Sequence, residues 1–191
     1  MTPPTTPRRL IGIVGPPGVG KSTLAAALAS ADSASAVLPM DGFHFSQARL
    51  VELGRRERMG APDTFDVEAF VAVLRAIRGT DETVHAPGFD RAIEEPVPDA
   101  ITIGRGIRTV FVEGNYLLLD GGGWERIAPL LDESWYLTLD DDTRRERLTA
   151  RHVASGKSPS AAALWVTTVD EPNARIVSAS AARASRTLSV D

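Results

Sequence analysis

The sequence predicts an α/β domain: a parallel sheet of about five strands with helices packed on both faces. Three observations lead there. Strand-like and helix-like runs alternate along most of the 191 residues, the order in which helical crossovers join parallel strands. The runs 10–14 and 109–112 are apolar at nearly every position, as in strands buried on both sides. Between the first run and an alanine-rich helical stretch lies Gly15-Pro16-Pro17-Gly18-Val19-Gly20-Lys21-Ser22. This is the Gly-x-x-x-x-Gly-Lys-Ser pattern of a phosphate-binding loop, in the strand–loop–helix setting that the pattern requires. The fold class is therefore that of a P-loop NTPase.

The elements follow in order. Residues 10–14 form the first strand and residues 22–31 the helix behind the loop. Residues 36–40 form a second strand. From Asp66 to Ile77, the apolar residues Val67, Phe70, Val71, Leu74 and Ile77 recur at helical spacing, and Asp66 suits the N-cap. Residues 83–86 are a short strand candidate. Residues 109–112 are strongly β-branched and run into Glu113 and Gly114. Residues 135–139 form a further strand, after which Asp140-Asp141-Asp142 caps a basic helix over 143–155. Ser158 caps a helix over 158–168 that has Pro159 in its first turn. Residues 187–190 close the sheet as a last strand. The alanine- and serine-rich stretch 178–185 carries no readable pattern. Residues 1–7 are expected to be a disordered lead-in, and residues 8–191 one domain with an arginine lid around 143–158.

Composition sets limits. A net charge of −4 gives no electrostatic case for nucleic acid or an anionic membrane as partner, and the absence of cysteine excludes disulfides and thiolate metal sites. No apolar stretch approaches the roughly 20 residues that span a bilayer. The first seven residues, rich in proline and threonine, lack the apolar core of a signal peptide. A soluble cytoplasmic enzyme is the expectation.

The loop's glycines let successive backbone N–H groups point at phosphate oxygens, and the following helix adds the positive end of its dipole. Gly15, Pro16, Pro17, Gly18, Val19, Gly20, Lys21, Ser22 and Thr23 are the expected ATP site. There Lys21 would reach the β- and γ-phosphates and the Ser22 hydroxyl would join the Mg²⁺ shell. In an open α/β sheet, ligands gather at the carboxyl ends of strands. Two carboxylates end strands here. Asp41 could take the proton of an attacking hydroxyl or help hold Mg²⁺, and it also suits an ordinary Asp-Gly turn. Glu113 has the form of the second nucleotide-binding motif, a Mg²⁺-supporting acid after an apolar strand, with a rim cap as the alternative. Arg144, Arg147 and Arg151 share a helix face, either a lid over phosphates or a solvated face balancing the aspartates. His85 and Arg91 flank Ala86-Pro87-Gly88-Phe89-Asp90, a loop that could orient a substrate or simply turn.

Taken together, Met40-Asp41-Gly42-Phe43-His44, the segment from Arg58 to Asp66, Ala86-Pro87-Gly88-Phe89-Asp90-Arg91, Val112-Glu113-Gly114-Asn115-Tyr116 and Arg147-Leu148-Thr149-Ala150-Arg151-His152 resemble the phosphoribulokinase, uridine kinase and pantothenate kinase group of P-loop kinases. More closely they resemble bacterial nucleoside/nucleotide kinase-like proteins of the fructose transport system kinase type. The resemblance implies a kinase that moves the γ-phosphoryl group of ATP, with Mg²⁺, to a hydroxyl of a small metabolite. It implies that Asp41 is the catalytic aspartate, that Glu113 supports metal and acceptor, and that Arg147 and Arg151 belong to the lid. Lys21 completes the catalytic set. His44, Phe45, Phe89, Arg91 and Tyr116, with Asp41 and Glu113, would bind the acceptor: a nucleoside, a sugar or polyol, or a pantothenate-like acid. Met59 stands where the pantothenate kinase segment has a lysine. Asn173 has no role assigned. The alternative classes are a nucleotide-binding regulatory protein and a GTPase-type switch, and the Asn-Lys-x-Asp motif of the latter is absent from the sequence.

Overall fold

The computed structural model describes residues 7–190, so the expected lead-in lies, apart from Pro7, outside the described residues. The chain runs β1 (Arg9–Val14), α1 (Lys21–Ala31), β2 (Ser35–Pro39) and a 3₁₀ turn over Met40–Phe43. It continues through α2 (Gln47–Glu52), α3 (Val67–Gly79), β3 (Val84–Asp90), β4 (Glu95–Ile103) and β5 (Thr109–Gly114). After β6 (Glu133–Thr138) come α4 (Asp141–Ala154), α5 (Pro159–Trp165), a π-helical turn over Val166–Asp170, α6 (Glu171–Ser178) and β7 (Arg186–Ser189).

Five strands form one sheet in the order β2-β5-β1-β6-β7, every neighbouring pair parallel. Side chains of β1 alternate between two cores. Leu10 and Val14 pack with α3 residues such as Phe70 and Leu74, while Ile11 and Ile13 pack with Val19, Ala25 and Phe111 on the α1 face. Such two-sided burial is what a continuous apolar strand requires. The expected helix caps are present: the side chains of Asp66, Asp140 and Ser158 accept from the backbone N–H groups of Ala69, Thr143 and Ala161. Among the described residues no helix is long and apolar enough to cross a membrane.

Two expectations need correction. The short strand candidate at 83–86 is found, but it runs on through 86–90, expected as a loop, and stands outside the main sheet. It begins β3, which pairs antiparallel with β4 in a separate two-stranded hairpin. β4 itself had no signal in the sequence, because Pro96 and Pro98 interrupt it and most of its middle is exposed, features tolerated only on an edge strand. The helix expected over 158–168 ends as α-helix at Trp165 and passes through the π turn into α6.

Register places the functional ends together. Glu113 lies opposite Ile13 of β1 and Pro39 of β2. The phosphate-loop sequence after β1, Asp41 after β2 and Glu113 near the end of β5 therefore leave the sheet along one edge. The hairpin then folds down onto that edge. A Cβ on Gly42 would lie 2.1 Å from the Pro87 carbonyl oxygen, so only glycine permits this approach.

Candidate active site

The loop between β1 and α1 curls through glycines with positive φ, Gly18 at 82° and Gly20 at 101°. A Cβ on Gly18 would meet Leu148 Cγ at 2.7 Å and the Arg144 carbonyl at 3.0 Å, so α4 packs directly on the loop. Lys21 is buried, and its Nζ donates to the Gly15 and Pro16 carbonyls at 2.9 and 3.0 Å. Burial lowers its pKa to about 8 against the pull of Glu113 and Asp41, which favour the ammonium. The Ser22 hydroxyl donates to Glu113 Oε1 at 3.0 Å. Glu113 is buried, and burial, reinforced by Asp41, raises its pKa while Lys21 opposes the rise.

These residues fit a magnesium-bound nucleotide. A buried ammonium held only by neutral carbonyls can turn to phosphate oxygens, and the paired Ser22 and Glu113 oxygens are the hard donors that Mg²⁺ prefers. Among the described residues no group of three or more His, Cys, Asp or Glu could hold a metal alone.

Asp41 sits in the 3₁₀ turn at the end of β2, where Arg91 from the hairpin turn donates to its Oδ2 at 2.5 Å. The His44 Nδ1–H donates to the Asp41 carbonyl at 2.9 Å, and the ring lies 3.9 Å from that of Phe65 and 4.9 Å from that of Phe89 between centroids. Burial lowers the His44 pKa, favouring the neutral ring.

Two hollows meet at the loop. A groove of about 750 Å³ runs along Gly18–Thr23, Ala27, Arg147 and Val190. A smaller cleft of about 170 Å³ is lined by Asp41, His44, Phe89, Glu113 and Asn115, among others. Gly18, Lys21, Ser22, Arg91 and Arg151 line both.

Some expected site residues lie elsewhere. Tyr116 is fully buried, packed edge-on against Phe65 and Trp124, and its hydroxyl donates to the Gly60 carbonyl. Burial raises its pKa further above the usual phenol range. It shapes the core under the cleft and does not line it. Phe45 is half-buried and lines neither hollow; its N–H donates to the Thr64 carbonyl. Arg147 faces the groove alone. Arg144, expected on the same face, turns inward, where it binds Asp141 and Glu171 and donates to the Pro17 carbonyl. It ties α4 to the loop and to α6.

The cleft also holds His152 and Lys157, which adjoin the arginine face, and Trp165, Asp170 and Asn173, to which sequence reasoning assigned no role. His152 Nε2 contacts Asp170 Oδ2 at 2.8 Å, and Lys157 Nζ sits 4.6 Å from the centre of the Trp165 ring. His152 lies in the last turn of the basic helix and Lys157 follows it, the one sequence signal for this group; Trp165 and Asp170 had none.

No family model matches the chain. It is 39% identical over 160 residues to a Schizosaccharomyces pombe protein named "Putative uridine kinase C227.14", spanning 78% of this chain and 68% of that one. It is 41% identical over 132 residues to the Aspergillus versicolor "ATP-dependent kinase-like protein notR'", spanning 65% of this chain and 77% of that one. Among solved structures, a "putative fructose transport system kinase" from Silicibacter sp. TM1040 superposes with a TM-score of 0.89 at 36% identity, covering 98% of this chain and 93% of that one. The phosphoribulokinase of Rhodobacter spheroides shares the fold alone, at 14% identity and a TM-score of 0.60 over 88% of this chain and 67% of that one. With more than a third of aligned residues identical across most of their lengths, the chain belongs to the uridine kinase-like family of P-loop kinases.

Proposed function

We propose that the protein is an ATP-dependent kinase that transfers the γ-phosphoryl group to a hydroxyl of a small metabolite. The observation that carries this reading is the meeting of the two hollows at Lys21 and Ser22, with Asp41 and Glu113 on the cleft side only. A nucleotide lies along the groove and an acceptor fills the cleft, so the transferring group passes the junction.

Lys21 exchanges the Gly15 and Pro16 carbonyls for phosphate oxygens, and loop N–H groups complete the cradle. Ser22 and Glu113 would hold Mg²⁺, which neutralises charge on the phosphates. Asp41 accepts the proton of the attacking hydroxyl, while Arg91 holds its carboxylate in place. Arg151, at the junction, and Arg147, along the groove, stabilise charge as α4 closes. The family resemblance supports the same roles.

The test is ATP consumption with nucleosides, sugars, polyols and pantothenate-like acids as acceptors, products being identified by mass spectrometry. The expected result is ADP and a phosphorylated acceptor in equal amounts. Tight Mg-ATP binding with no acceptor-dependent ADP would favour a nucleotide-binding regulator.

A further inference from the structure

The helical segment that closes the far end of the cleft carries a buried carboxylate that the kinase reading leaves unused. Pro172 lies near the start of α6 and has no N–H to donate to the carbonyl of Thr168. A proline inside a helix also crowds that carbonyl. The chain accommodates it by widening to the π turn over Val166–Asp170, where the N–H of Glu171 reaches the Val166 carbonyl, five residues back. Turns of this kind recur at functional sites. Asp170, at the junction, stands where an N-cap residue would, yet its side chain caps nothing. It instead lines the cleft at 7% exposure.

One carboxylate oxygen is committed. His152 Nε2, from the last turn of α4, lies 2.8 Å from Oδ2. The other, Oδ1, has no hydrogen-bond partner among the described residues. That oxygen opens into the cleft, where water can reach it, so a ligand that fills the cleft displaces that water and must supply a donor in its place. Lys157, which also lines the cleft, sits over the Trp165 ring.

We propose that Asp170, held in place by His152, is a specificity-determining residue for the acceptor. Its free oxygen takes a hydrogen bond from a second donor group of the acceptor, a hydroxyl or N–H other than the one that is phosphorylated. A carboxylate at this position selects an uncharged acceptor bearing at least two donors and rejects one whose acid group would face it. This rests on the kinase reading. It adds to that reading by choosing among its acceptor classes, excluding molecules that place an acid at the Asp170 end. His152 acts through Asp170 and is a positioning residue.

The experiment presents wild-type protein and Mg-ATP with neutral polyols, pentoses and nucleosides alongside D-glycerate and pantothenate, and identifies phosphorylated products by mass spectrometry. Neutral acceptors with two or more donors are expected to be phosphorylated, and the acids not. With the best acceptor, Asp170→Asn should raise its KM about 10–100-fold, the scale of a lost charge-assisted hydrogen bond, and by more than kcat falls. His152→Ala should raise the same KM, and His152→Gln, which keeps an N–H for Asp170, should recover most of the loss. The His152 pair also keeps the test valid if Asp170→Asn fails to fold. Preference for the acids, or an acceptor KM unmoved in the folded variants, would overturn the proposal while leaving the kinase reading standing. Mg-ATP binding with no phosphorylated product from wild type would overturn the kinase reading, and this inference with it.

Discussion

Arg91 donates to the Asp41 carboxylate at 2.5 Å across 50 positions of sequence. The contact exists because the hairpin settles on the turn after β2, an approach that Gly42 allows and any Cβ would block. The Arg91 side chain is 58% exposed and that of Asp41 29%. A pair so open to water adds at most about 1 kcal/mol to stability. Its consequence is local: it fixes a carboxylate beside Glu113 and Lys21, where three charges already perturb one another.

Lys21 gives a pH test. Burial holds its pKa near 8 in the nucleotide-free protein, so the ammonium fraction falls as pH rises through 8. If phosphate binding needs the ammonium, the Kd for Mg-ATP should be flat up to about pH 7.5. It should then weaken above 8, toward about tenfold per pH unit. Lys21→Met should bind weakly with no such dependence from pH 7.5 to 9.5. The shift also affects folding, with the opposite sign. Between about 8 and the ordinary lysine value of 10.5, the unfolded lysine holds a proton that the native one has lost. In that window this group makes the nucleotide-free protein more stable as pH rises. Calorimetric titration checks the first effect and thermal melts the second.

The packing of α4 on the loop separates two glycine substitutions. Gly18→Ala places a methyl 2.7 Å from Leu148 Cγ and 3.0 Å from the Arg144 carbonyl at a φ of 82°, so it adds a clash to backbone strain. Gly20→Ala, at 101°, meets nothing within 4 Å and incurs the strain alone. Strain of this kind costs on the order of 1–3 kcal/mol. Gly18→Ala should therefore have the lower Tm of the two and should lose more Mg-ATP affinity, because the methyl pushes the loop away from Leu148.

Much of this arrangement was legible because it is local. The phosphate loop is written in eight consecutive residues, and Asp41 and Glu113 declare themselves by ending apolar strands. What escaped was set by contacts distant in sequence. β4, with its prolines and exposed residues, has no strand periodicity, so the position of Arg91 over Asp41 could not be read from the strand pattern. Tyr116 lies three residues beyond Glu113 and has a polar tip, yet the fold sends its hydroxyl to the Gly60 carbonyl, 56 positions away. Arg144 has the spacing of a lid residue, but Glu171 and the loop draw it inward. Asp170 lines the cleft from the end of a π turn ahead of Pro172, a feature that helical periodicity does not announce.

The two outward arginines of α4 should differ. Arg151 lines groove and cleft, and Arg147 the groove alone. Arg151→Ala should lower kcat far more than it weakens ATP binding, the signature of an interaction made mainly in the transition state. Arg147→Ala should act chiefly on the KM for ATP. Neither change should cost more than about 0.5 kcal/mol of stability, as is usual for exposed positions. Steady-state kinetics with thermal melts decide it, and equal kinetic effects would make α4 a uniformly charged face.

Asp41→Asn addresses the mechanism most directly. The change keeps size and shape, removes the carboxylate and leaves Arg91 exposed to water, so the melting temperature should hardly move. As a general base, Asp41 should contribute roughly 10²–10⁴ in rate. The nucleotide groove does not include Asp41, so ATP affinity should change little. One neighbour responds as well. Asp41 is a cause of the raised Glu113 pKa, so its neutralisation should make Glu113 a weaker proton acceptor. Glu113 therefore cannot compensate as a base by becoming more basic. Lost turnover with retained Mg-ATP binding identifies Asp41 as the proton acceptor. Loss of both makes it a metal or structural residue. An unimpaired rate shifts the role to Glu113, already hydrogen-bonded to Ser22, and a Glu113→Gln variant would then have to abolish turnover.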